Sequence, residues 1–476
     1  MTTAPWPADV LERAGLPAAE VAGWAAAARE PATRDGFPAA AESVSRFLSH
    51  GLALRQRLPA PARCTAGEQA ARDAIGTLLH DARDAFLHSH AEHLYELLTS
   101  GYARPLRVSD LLAAAAARVP GLVPGAAEVD TERTRALRDK EGIELAQGLL
   151  VAHMLALPGP GRHLIGAMLR PLPEAIDRLP ELRATGTADL GPVQVTRHGR
   201  AGLLELRNPQ HLNAEDDLTL GPTECAVDLI LLDPGIEVGV IRGGVVDHPR
   251  YRGVRVFGSG LNLTRLYQGR LGYLFYLDRD LGYVHKIFRG ITPPAPGAVE
   301  PPGPAHPLAP TTEKLWIAAV ERFAVGGACQ LLHVVDHVIV TRGSRLFLPA
   351  RKEGIIPGAS NLRLPRFVGD RAARQAILSG REWIAGEPDA AMLCDEVVEP
   401  DGMDQALAAR IEALTSSGLV NAAANRRTLR DGQEPLDVFR EYMATFALEQ
   451  ARCHLSPALV RNLEVHWQAA TRAGSV

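Results

Sequence analysis

The chain has 476 residues, more than one hydrophobic core ordinarily holds, so we predict two or three domains. Its 46% hydrophobic and 22% charged residues are typical of a soluble globular protein. A formal net charge of -4 offers no basic surface for nucleic acid, and no apolar run approaches the roughly 20 residues of a membrane span. The five cysteines are scattered and the N-terminus lacks a signal-peptide pattern, so we expect a reduced, cytoplasmic protein.

The first part of the chain, residues 1–190, is predicted to be helical. Apolar residues recur from Ile75 onward at the spacing of one helix face, and Gly101 is placed to end that helix. Ser109 is placed to cap a second helix, and a third is predicted over residues 132–157. We predict no catalytic site here, because this part contains neither a phosphate-binding loop nor a nucleophile elbow.

One group of side chains in this part resembles a set of metal ligands: His88, His90 and His93, with Glu92 and Glu96. On one helix His90 and His93 share a face, whereas His88 points away from them. Since no second segment offers a clear matching ligand, a polar helix face is the favoured interpretation and a metal site is the alternative.

The pattern changes near Gly191, where short strands begin to alternate with helices. Residues 193–208 predict two strands around a turn, and IEVGVIRGG predicts a buried strand that ends in glycines. WIAAVERFAVGG repeats this pattern and continues into a helix and a further strand, so we expect βαβ units with right-handed crossovers. Eight prolines within residues 291–310 indicate an extended surface loop, and from about Met403 the chain is predicted to be helical again.

Two glycine-containing segments carry the candidate chemistry. FGSGLNL spans Phe257 to Leu263, and VGGACQ spans Val325 to Gln330. Glycine lets a carbonyl group approach the backbone closely, and the unpaired N–H groups at a helix start suit a developing oxyanion. A segment of this kind alone is more often a turn or a packing feature. The order of the two segments and their setting along the chain are what indicate a catalytic function.

The resemblance to a known family rests on these segments in this order: GLLELRNPQHLNAEDD, VGVIRGG, FGSGLNL, WIAAVERFAVGGACQLLHVVDHVIV, EGIIPGASNLRLPRFVG and ILSGREW. From about Val193 to Pro400 the chain therefore resembles the crotonase (enoyl-CoA hydratase/isomerase) superfamily. The resemblance implies an α/β fold with a crotonase-type ββα spiral core at residues 191–400, a long helical N-terminal domain at residues 1–190 and a C-terminal helical segment at residues 401–476. It also implies trimers stacked as a hexamer.

In this superfamily two backbone amides form an oxyanion hole for a thioester carbonyl. The resemblance places these amides at Leu261 and Gly327, with Ala328 at the third glycine of the motif. Enoyl-CoA hydratases carry one catalytic glutamate where this chain has Gln330 and a second where it has Ala350. Because neither glutamine nor alanine can act as a carboxylate base, we do not expect a hydratase.

The resemblance is more specific to one family in this superfamily, the cofactor-independent dioxygenases of 3,5-dihydroxyphenylacetyl-CoA. It rests on the N-terminal extension, HLNAEDD, HPRYRGVRVFGSGLNLTRLYQG, LDRDLGYVHKIFRG and the tail from NRRTLR onward. In that family a glutamate binds the hydroxyls of the substrate ring, and this role maps onto Glu215, with Gln330 and Arg279 as further site residues. Without the resemblance, Glu215 is interpreted as a first-turn helix residue and Arg279 as a solvated helix charge.

Further substrate contacts are expected around these residues. Arg250 and Arg430 are candidates for contact with the CoA phosphates, although surface loops and helix ends are often basic without such a role. The remaining predicted contacts lie beside the two amides or in HPRYRG: Tyr251, Ser259, Gly260, Asn262 and Gly326.

The resemblance implies a reaction without metal or organic cofactor, in which O2 and the CoA thioester are the substrates. The thioester and the ring both acidify the α-proton, so an enolate forms in the oxyanion hole, reacts directly with O2 and yields CoA and an aryl glyoxylate. The implied pathway leads to 3,5-dihydroxyphenylglycine, a building block of glycopeptide-type peptides. The group that removes the proton is not identified. Two alternatives stay open: a hydratase or isomerase, which a carboxylate near Ala350 would support, and a non-catalytic acyl-CoA-binding scaffold.

Overall fold

The computed structural model describes residues 6–28, 36–292, 311–416, 418–469 and 471, which we call the described residues. Nearly all of the predicted proline-rich loop lies outside them. The first part of the chain forms helices α1 Ala8–Arg13, α2 Ala18–Ala27, α3 Gly36–Arg57, α4 Ala66–Leu98, α5 Val108–Arg118, α6 Ala126–Arg133, α7 Leu145–Ala156, α8 Pro158–Met168 and α9 Pro173–Thr185, with 3-10 turns at Pro61–Arg63 and Leu137–Asp139.

Two of the predicted helix boundaries can be compared directly with the structure. Helix α4 ends at Leu98, and the N–H of Gly101 donates to the Glu96 carbonyl at 2.7 Å, with the φ of 66° expected for a helix-ending glycine. The predicted cap at Ser109 is wrong, because α5 begins one residue earlier, at Val108. Val108 is buried whereas Ser109 is exposed, so burial of the apolar residue determines where this helix begins.

The third predicted helix, over residues 132–157, is wrong as a single element. Helix α6 ends at Arg133 and α7 begins at Leu145. Between them Gly142 has a φ of 76°, and its N–H donates to the buried carboxylate of Glu132 at 2.9 Å. A left-handed glycine and a side chain that takes up a backbone donor both interrupt the regular helical hydrogen bonds.

The second part of the chain alternates strands and helices before it ends in helices. The strands are β1 Thr187–Asp189, β2 Val193–His198, β3 Ala201–Leu206, β4 Val238–Gly243, β5 Leu315–Val320, β6 Phe323–Val325, β7 His337–Thr341, β8 Arg345–Phe347, β9 Glu382–Ile384 and β10 Glu396–Val398. The helices are α10 Leu220–Leu232, α11 Leu263–Tyr267, α12 Leu274–Leu281, α13 Tyr283–Arg289, α14 Gly327–Leu331, α15 Ala350–Glu353, α16 Ser360–Arg374, α17 Met403–Thr415, α18 Leu419–Gln433, α19 Leu436–His454 and α20 Pro457–Trp467.

Within the described residues the strands form two sheets. The larger has the order β1-β2-β3-β4-β5-β7-β10, in which β1, β2 and β3 are antiparallel and the strands from β3 onward are parallel. Strands β6, β8 and β9 form the smaller sheet. The pairs β5–β6 and β7–β8 each place one strand in either sheet before a helix follows, which is the repeating unit of a ββα spiral. The predicted α/β class and crotonase-type core are confirmed.

The helices from the two ends of the chain share one apolar core. Leu149 of α7 and Phe446 of α19 are buried in the same cluster as Phe275 and Leu277 of α12. The apolar residues of the spiral form a second cluster, in which Trp316 of β5 is fully buried. Helix α12 is therefore supported by both helical regions, while the three-part division of the chain stays a prediction. No helix among the described residues is long and apolar enough to cross a membrane.

Gly148 marks a close contact between α7 and α19. A Cβ at this position would lie 2.6 Å from the Cβ of Ala451 and 2.9 Å from the carbonyl oxygen of Ala447. We expect Gly148→Ala to lower the free energy of unfolding by about 1–3 kcal/mol, because the two helices must move apart. Gly76→Ala is the matched control, since a Cβ there meets nothing within 4 Å and improves helix propensity. Equal melting temperatures for the two variants would contradict this account of the contact.

Candidate active site

The predicted site begins with three backbone segments that lie side by side. The FGSG segment after β4 lies between the HLNAEDD segment and β6. On one side, the N–H of Glu215 donates to the Gly260 carbonyl at 2.7 Å and the N–H of Asn262 donates to the Glu215 carbonyl at 2.8 Å. On the other side, the N–H of Val325 donates to the Gly258 carbonyl at 3.1 Å. These hydrogen bonds hold in place the backbone segments that contain the two predicted oxyanion amides.

Gly260 allows the two predicted oxyanion amides to come close together. Its φ is 79°, and a Cβ there would lie 2.6 Å from the carbonyl oxygen of Val325 and 3.0 Å from the amide nitrogen of Gly327. Gly326 turns the chain into α14 with a φ of 53°. Within the described parts of the chain, neither the Leu261 N–H nor the Gly327 N–H donates a backbone hydrogen bond. Both N–H groups are therefore free of backbone acceptors in this part of the structure, and their role as oxyanion donors stays a prediction.

A hydrogen-bonded cluster of Glu215, Arg279, Tyr283 and Gln330 lies next to these amides. Arg279 of α12 donates from Nε to Glu215 Oε2 and from Nη2 to Oε1 at 3.1 Å, and Tyr283 Oη also donates to Oε2. Arg279 further donates from Nη1 to Gln330 Oε1 at 2.8 Å and from Nη2 to the Gly327 carbonyl at 2.7 Å. The Arg279 guanidinium thus bonds both to Glu215, the predicted ring-binding carboxylate, and to Gly327, which contains the second predicted amide.

The charges in this cluster are largely removed from water. The side chains of Arg279 and Glu215 are 4% and 11% exposed, so the interpretation of Arg279 as a solvated helix charge is wrong. Burial opposes the charged guanidinium, but Glu215, Tyr283 and Asp280 together outweigh it and raise the pKa of Arg279. Burial also raises the pKa of Tyr283 well above its ordinary value, although Arg279 opposes this shift. The phenol therefore keeps its proton, stays neutral and donates a hydrogen bond to the Glu215 carboxylate.

A cavity of about 460 Å³, open to solvent, lies against the cluster. Leu261, Gly326, Gly327 and Gln330 line it together with Glu215. Much of the remaining wall is apolar and consists of Phe275, Pro349, Ala350, Ile355, Ile356 and Pro357. None of the described residues in the N-terminal helices lines this cavity, so those helices support α12 from outside the site.

Glu353, which matches none of the family's catalytic positions, also lines this cavity. Glu353 is the last residue of the single-turn helix α15, three residues after Ala350, and it is half-buried. Burial raises the pKa of Glu353 to about 7, and its carboxylate has no hydrogen-bond or ion-pair partner among the described residues. The sequence motifs did not identify Glu353, but its spacing from Ala350 is a signal that could have found it, because residues three apart in a helix share a face.

Other predicted contact residues beside the amides use their side chains within the protein. The Oγ of Ser259 donates to the carbonyl of His211 at 3.1 Å. The Oδ1 of Asn262 caps helix α11, and its Nδ2 donates to the carboxylate of Asp216 at 2.9 Å. These side chains therefore bond within the protein, and the two residues flank the Gly260–Leu261 segment in the chain.

Three further predicted contacts do not line the cavity. Arg250 and Tyr251 form part of a turn after β4, where the Arg250 guanidinium lies 5.4 Å from the centroid of the Tyr251 ring. Arg250 is exposed and Tyr251 is half-buried. Arg430 of α18 is buried, and its Nη1 donates to the carboxylate of Glu313 at 2.6 Å. The roles of these residues in CoA binding stay predictions.

The three histidines considered as metal ligands divide as predicted. His90 and His93 share a helix face, where their ring centroids lie 5.8 and 4.9 Å from that of Phe37. His88 is exposed. Across the described residues, no group of three or more histidine, cysteine, aspartate or glutamate side chains is arranged to hold a metal ion.

Comparison with known proteins adds the family. The enoyl-CoA hydratase/isomerase family model matches residues 306–440. The chain is 44% identical over 400 residues to the (3,5-dihydroxyphenyl)acetyl-CoA 1,2-dioxygenase of Amycolatopsis orientalis, a match that covers 84% of this chain and 89% of that protein. It is 28% identical over 247 residues to a probable enoyl-CoA hydratase of Rhizobium meliloti (strain 1021), which covers 50% of this chain and 84% of that protein. A solved enoyl-CoA hydratase/isomerase of Xanthobacter autotrophicus Py2 matches at 20% identity and a TM-score of 0.47, covering 60% of this chain and 97% of that one.

The spiral core, the family model over residues 306–440 and the 44% identical relative together define an enzyme of the crotonase superfamily, whose substrates are acyl-CoA thioesters. Within that superfamily, 44% identity over most of both chains identifies the particular branch. The chain belongs to the (3,5-dihydroxyphenyl)acetyl-CoA 1,2-dioxygenase family and is a dioxygenase. The resemblance predicted from the sequence motifs is confirmed.

Proposed function

We propose that the protein uses O2 to convert 3,5-dihydroxyphenylacetyl-CoA into 3,5-dihydroxyphenylglyoxylate and CoA, on the route to 3,5-dihydroxyphenylglycine. The observation that carries this proposal is the position of two amides, at Leu261 and Gly327, beside the buried Glu215–Arg279 ion pair; neither amide donates a backbone hydrogen bond to a described residue. The amides suit the oxygen of a thioester enolate, and the carboxylate suits the hydroxyl groups of a phenol. A relative with 44% identity is named for this activity.

At the ring end of the substrate, Glu215 and Gln330 supply the hydrogen bonds. Arg279 and Tyr283 hold the Glu215 carboxylate in place, and its oxygens retain lone pairs that can accept a ring hydroxyl. The Oε1 of Gln330 already accepts from Arg279, which leaves its Nε2 to donate to the second hydroxyl. This arrangement orients the ring so that the thioester carbonyl reaches the two amides.

At the thioester end, Leu261 and Gly327 hold the enolate oxygen. Each such donor contributes roughly 3–4 kcal/mol to stabilisation of the developing charge. The α-carbanion adds O2 to form a peroxide, which attacks the thioester carbonyl and expels CoA as its thiolate. The O–O bond then breaks as the second α-hydrogen leaves, so both oxygen atoms enter the glyoxylate and the thiolate takes up a proton.

We further propose that neither metal nor organic cofactor takes part. The ring and the thioester both delocalise the carbanion, so the bound substrate can itself transfer electrons to O2. The apolar part of the cavity wall, which includes Phe275 and Ile355, suits an apolar gas molecule. The assembly that we propose, from the superfamily resemblance, is a hexamer of two stacked trimers.

Oxygen uptake by chelator-treated enzyme tests both proposals. With 3,5-dihydroxyphenylacetyl-CoA in an oxygen electrode, we expect one O2 consumed for each CoA released, at the same rate before and after chelation. Metal analysis should find no stoichiometric iron, copper or manganese. Loss of activity on chelation, restored by one metal, would overturn the cofactor-free reaction, and lack of oxygen uptake by untreated enzyme would overturn the proposed function.

A hydratase or isomerase is the second candidate, and the half-buried carboxylate of Glu353 near Ala350 favours it. Against it, the hydratase positions hold Gln330 and Ala350, and the Glu215 carboxylate is engaged by Arg279 and Tyr283. Hydration of crotonyl-CoA without oxygen uptake would support this candidate. Tight binding of thioesters with neither reaction would support the non-catalytic scaffold.

A further inference from the structure

We infer that Glu353 is the base that removes the α-proton of the arylacetyl thioester, an inference that rests on the proposed function. In this step the C2–H bond breaks and its electron pair enters the enolate, whose oxygen is held by the amides of Leu261 and Gly327. The proton forms an O–H bond on the Glu353 carboxylate, which becomes neutral. The step needs no other reactant.

The placement of Glu353 is the first support. It lines the same cavity as Leu261 and Gly327, the residues whose amides would hold the enolate oxygen. The neighbouring wall includes Ile355 and Ile356. A carboxylate among such side chains is poorly solvated, and this environment makes it a stronger base than a carboxylate in water.

The second support comes from the other acidic groups on the cavity wall. The Glu215 carboxylate is engaged by Arg279 and Tyr283. Asp280 lies 3.8 Å from a nitrogen of Arg279 and accepts the N–H of Ala359 at 3.3 Å, with its side chain only 3% exposed. Among the described carboxylates of this wall, Glu353 alone has no partner to compete with the substrate.

The third support is the protonation of the nearby groups. Burial raises the pKa of Glu353 to about 7, close to the pH at which a general base works best. Burial, and after it the charge of Glu353, raises the pKa of the Tyr276 phenol. Tyr276 therefore stays protonated and cannot itself take the α-proton.

The position of Glu353 also compensates for the missing carboxylate at Ala350. Hydratases carry a carboxylate at the residue that is Ala350 here, and Glu353 lies three residues further on the same helical turn. Residues at this spacing share a helix face. The chain therefore retains a carboxylate on this face of α15, three residues after the hydratase position.

Exchange of the substrate C2 hydrogens with deuterium oxide tests the inference without oxygen. We expect wild-type enzyme to exchange them under anaerobic conditions, because a half-exposed Glu353 equilibrates its proton with solvent. Glu353→Gln should lower both this exchange and aerobic turnover by about 100-fold or more, the usual contribution of a general base. Glu353→Asp, which keeps the carboxylate, should restore part of both rates. Lys352→Gln, an exposed neighbour on the same turn, is the matched control and should change neither.

The possible outcomes separate this inference from the proposed function. Anaerobic binding of 3,5-dihydroxyphenylacetyl-CoA, measured by calorimetry, checks that Glu353→Gln is folded and retains affinity. Normal exchange by Glu353→Gln, or oxygen uptake by wild type without anaerobic exchange, would overturn the role of Glu353 and leave the dioxygenase activity standing. Failure of the wild type to consume O2 would instead overturn the proposed function on which the inference rests.

Discussion

Gly260→Ala should lower kcat/KM for the arylacetyl thioester by about 100-fold or more, which is the effect of losing one oxyanion donor. The added Cβ would lie 2.6 Å from the carbonyl oxygen of Val325 and 3.0 Å from the amide nitrogen of Gly327. Because both neighbours are backbone atoms, the FGSG segment must move away from β6. That movement separates the amides of Leu261 and Gly327, and steady-state oxygen uptake measures the loss.

The control for Gly260→Ala is Gly343→Ala. Gly343 lies in the turn between β7 and β8 with the same φ of 79°, but a Cβ there meets nothing within 4 Å. Both variants therefore suffer the strain of a left-handed alanine, of the order of 1–2 kcal/mol, and only one suffers the steric conflict. Equal activity of the two variants would show that strain alone matters and that the Leu261–Gly327 spacing is not critical.

Glu215→Gln should lower kcat/KM by roughly 10- to 100-fold with 3,5-dihydroxyphenylacetyl-CoA, because charge-assisted hydrogen bonds to the ring hydroxyls are lost. Phenylacetyl-CoA has no hydroxyl for this carboxylate, so it should be a poor substrate for wild type and lose little further in the variant. The substitution also removes the carboxylate that is hydrogen-bonded to the buried Arg279 and leaves only Asp280, 3.8 Å away, to balance its charge. We therefore expect the free energy of unfolding to fall by about 3 kcal/mol.

Asp217→Asn is the matched control for Glu215→Gln. Asp217 lies two residues further along and also pairs with an arginine, Arg265, but this pair is at the surface, with an Nε–Oδ1 distance of 2.6 Å. An exposed ion pair contributes little, so this variant should lose less than about 1 kcal/mol and keep its activity. If Glu215→Gln affected both thioesters equally, Glu215 would have a general structural role and ring recognition would have to be abandoned.

Local sequence patterns predicted several strands of the spiral, although not β6, β8, β9 or β10. The alternation of strands with helices after Gly191 predicted β2, β3, β4, β5 and β7, because the side-chain period and the glycines that end each strand act within a few residues. The two glycine-containing segments were also visible locally, but the positions of the two amides, at Leu261 and Gly327, came from the family resemblance. The motif order then identified the family.

Tertiary structure decided what these patterns left open. Glu132 interrupts the predicted third helix by taking up the N–H of Gly142, and Val108 rather than Ser109 begins α5 because it is buried. The pairing of Glu215 with Arg279 joins residues 64 positions apart, so no local period could indicate that both are buried.

Glu353 shows the same division between sequence and tertiary structure most directly. Its position three residues after Ala350 can be read from the sequence, but its raised pKa depends on the surfaces that remove water from it. Those surfaces include side chains of α12 and of the chain that follows α15. The sequence by itself indicated the two glycine segments and, through the resemblance, Glu215, Arg279 and Gln330, but not Glu353. Burial in the folded chain decided which of these groups are charged, paired or free to react, because desolvation depends on every neighbour in space.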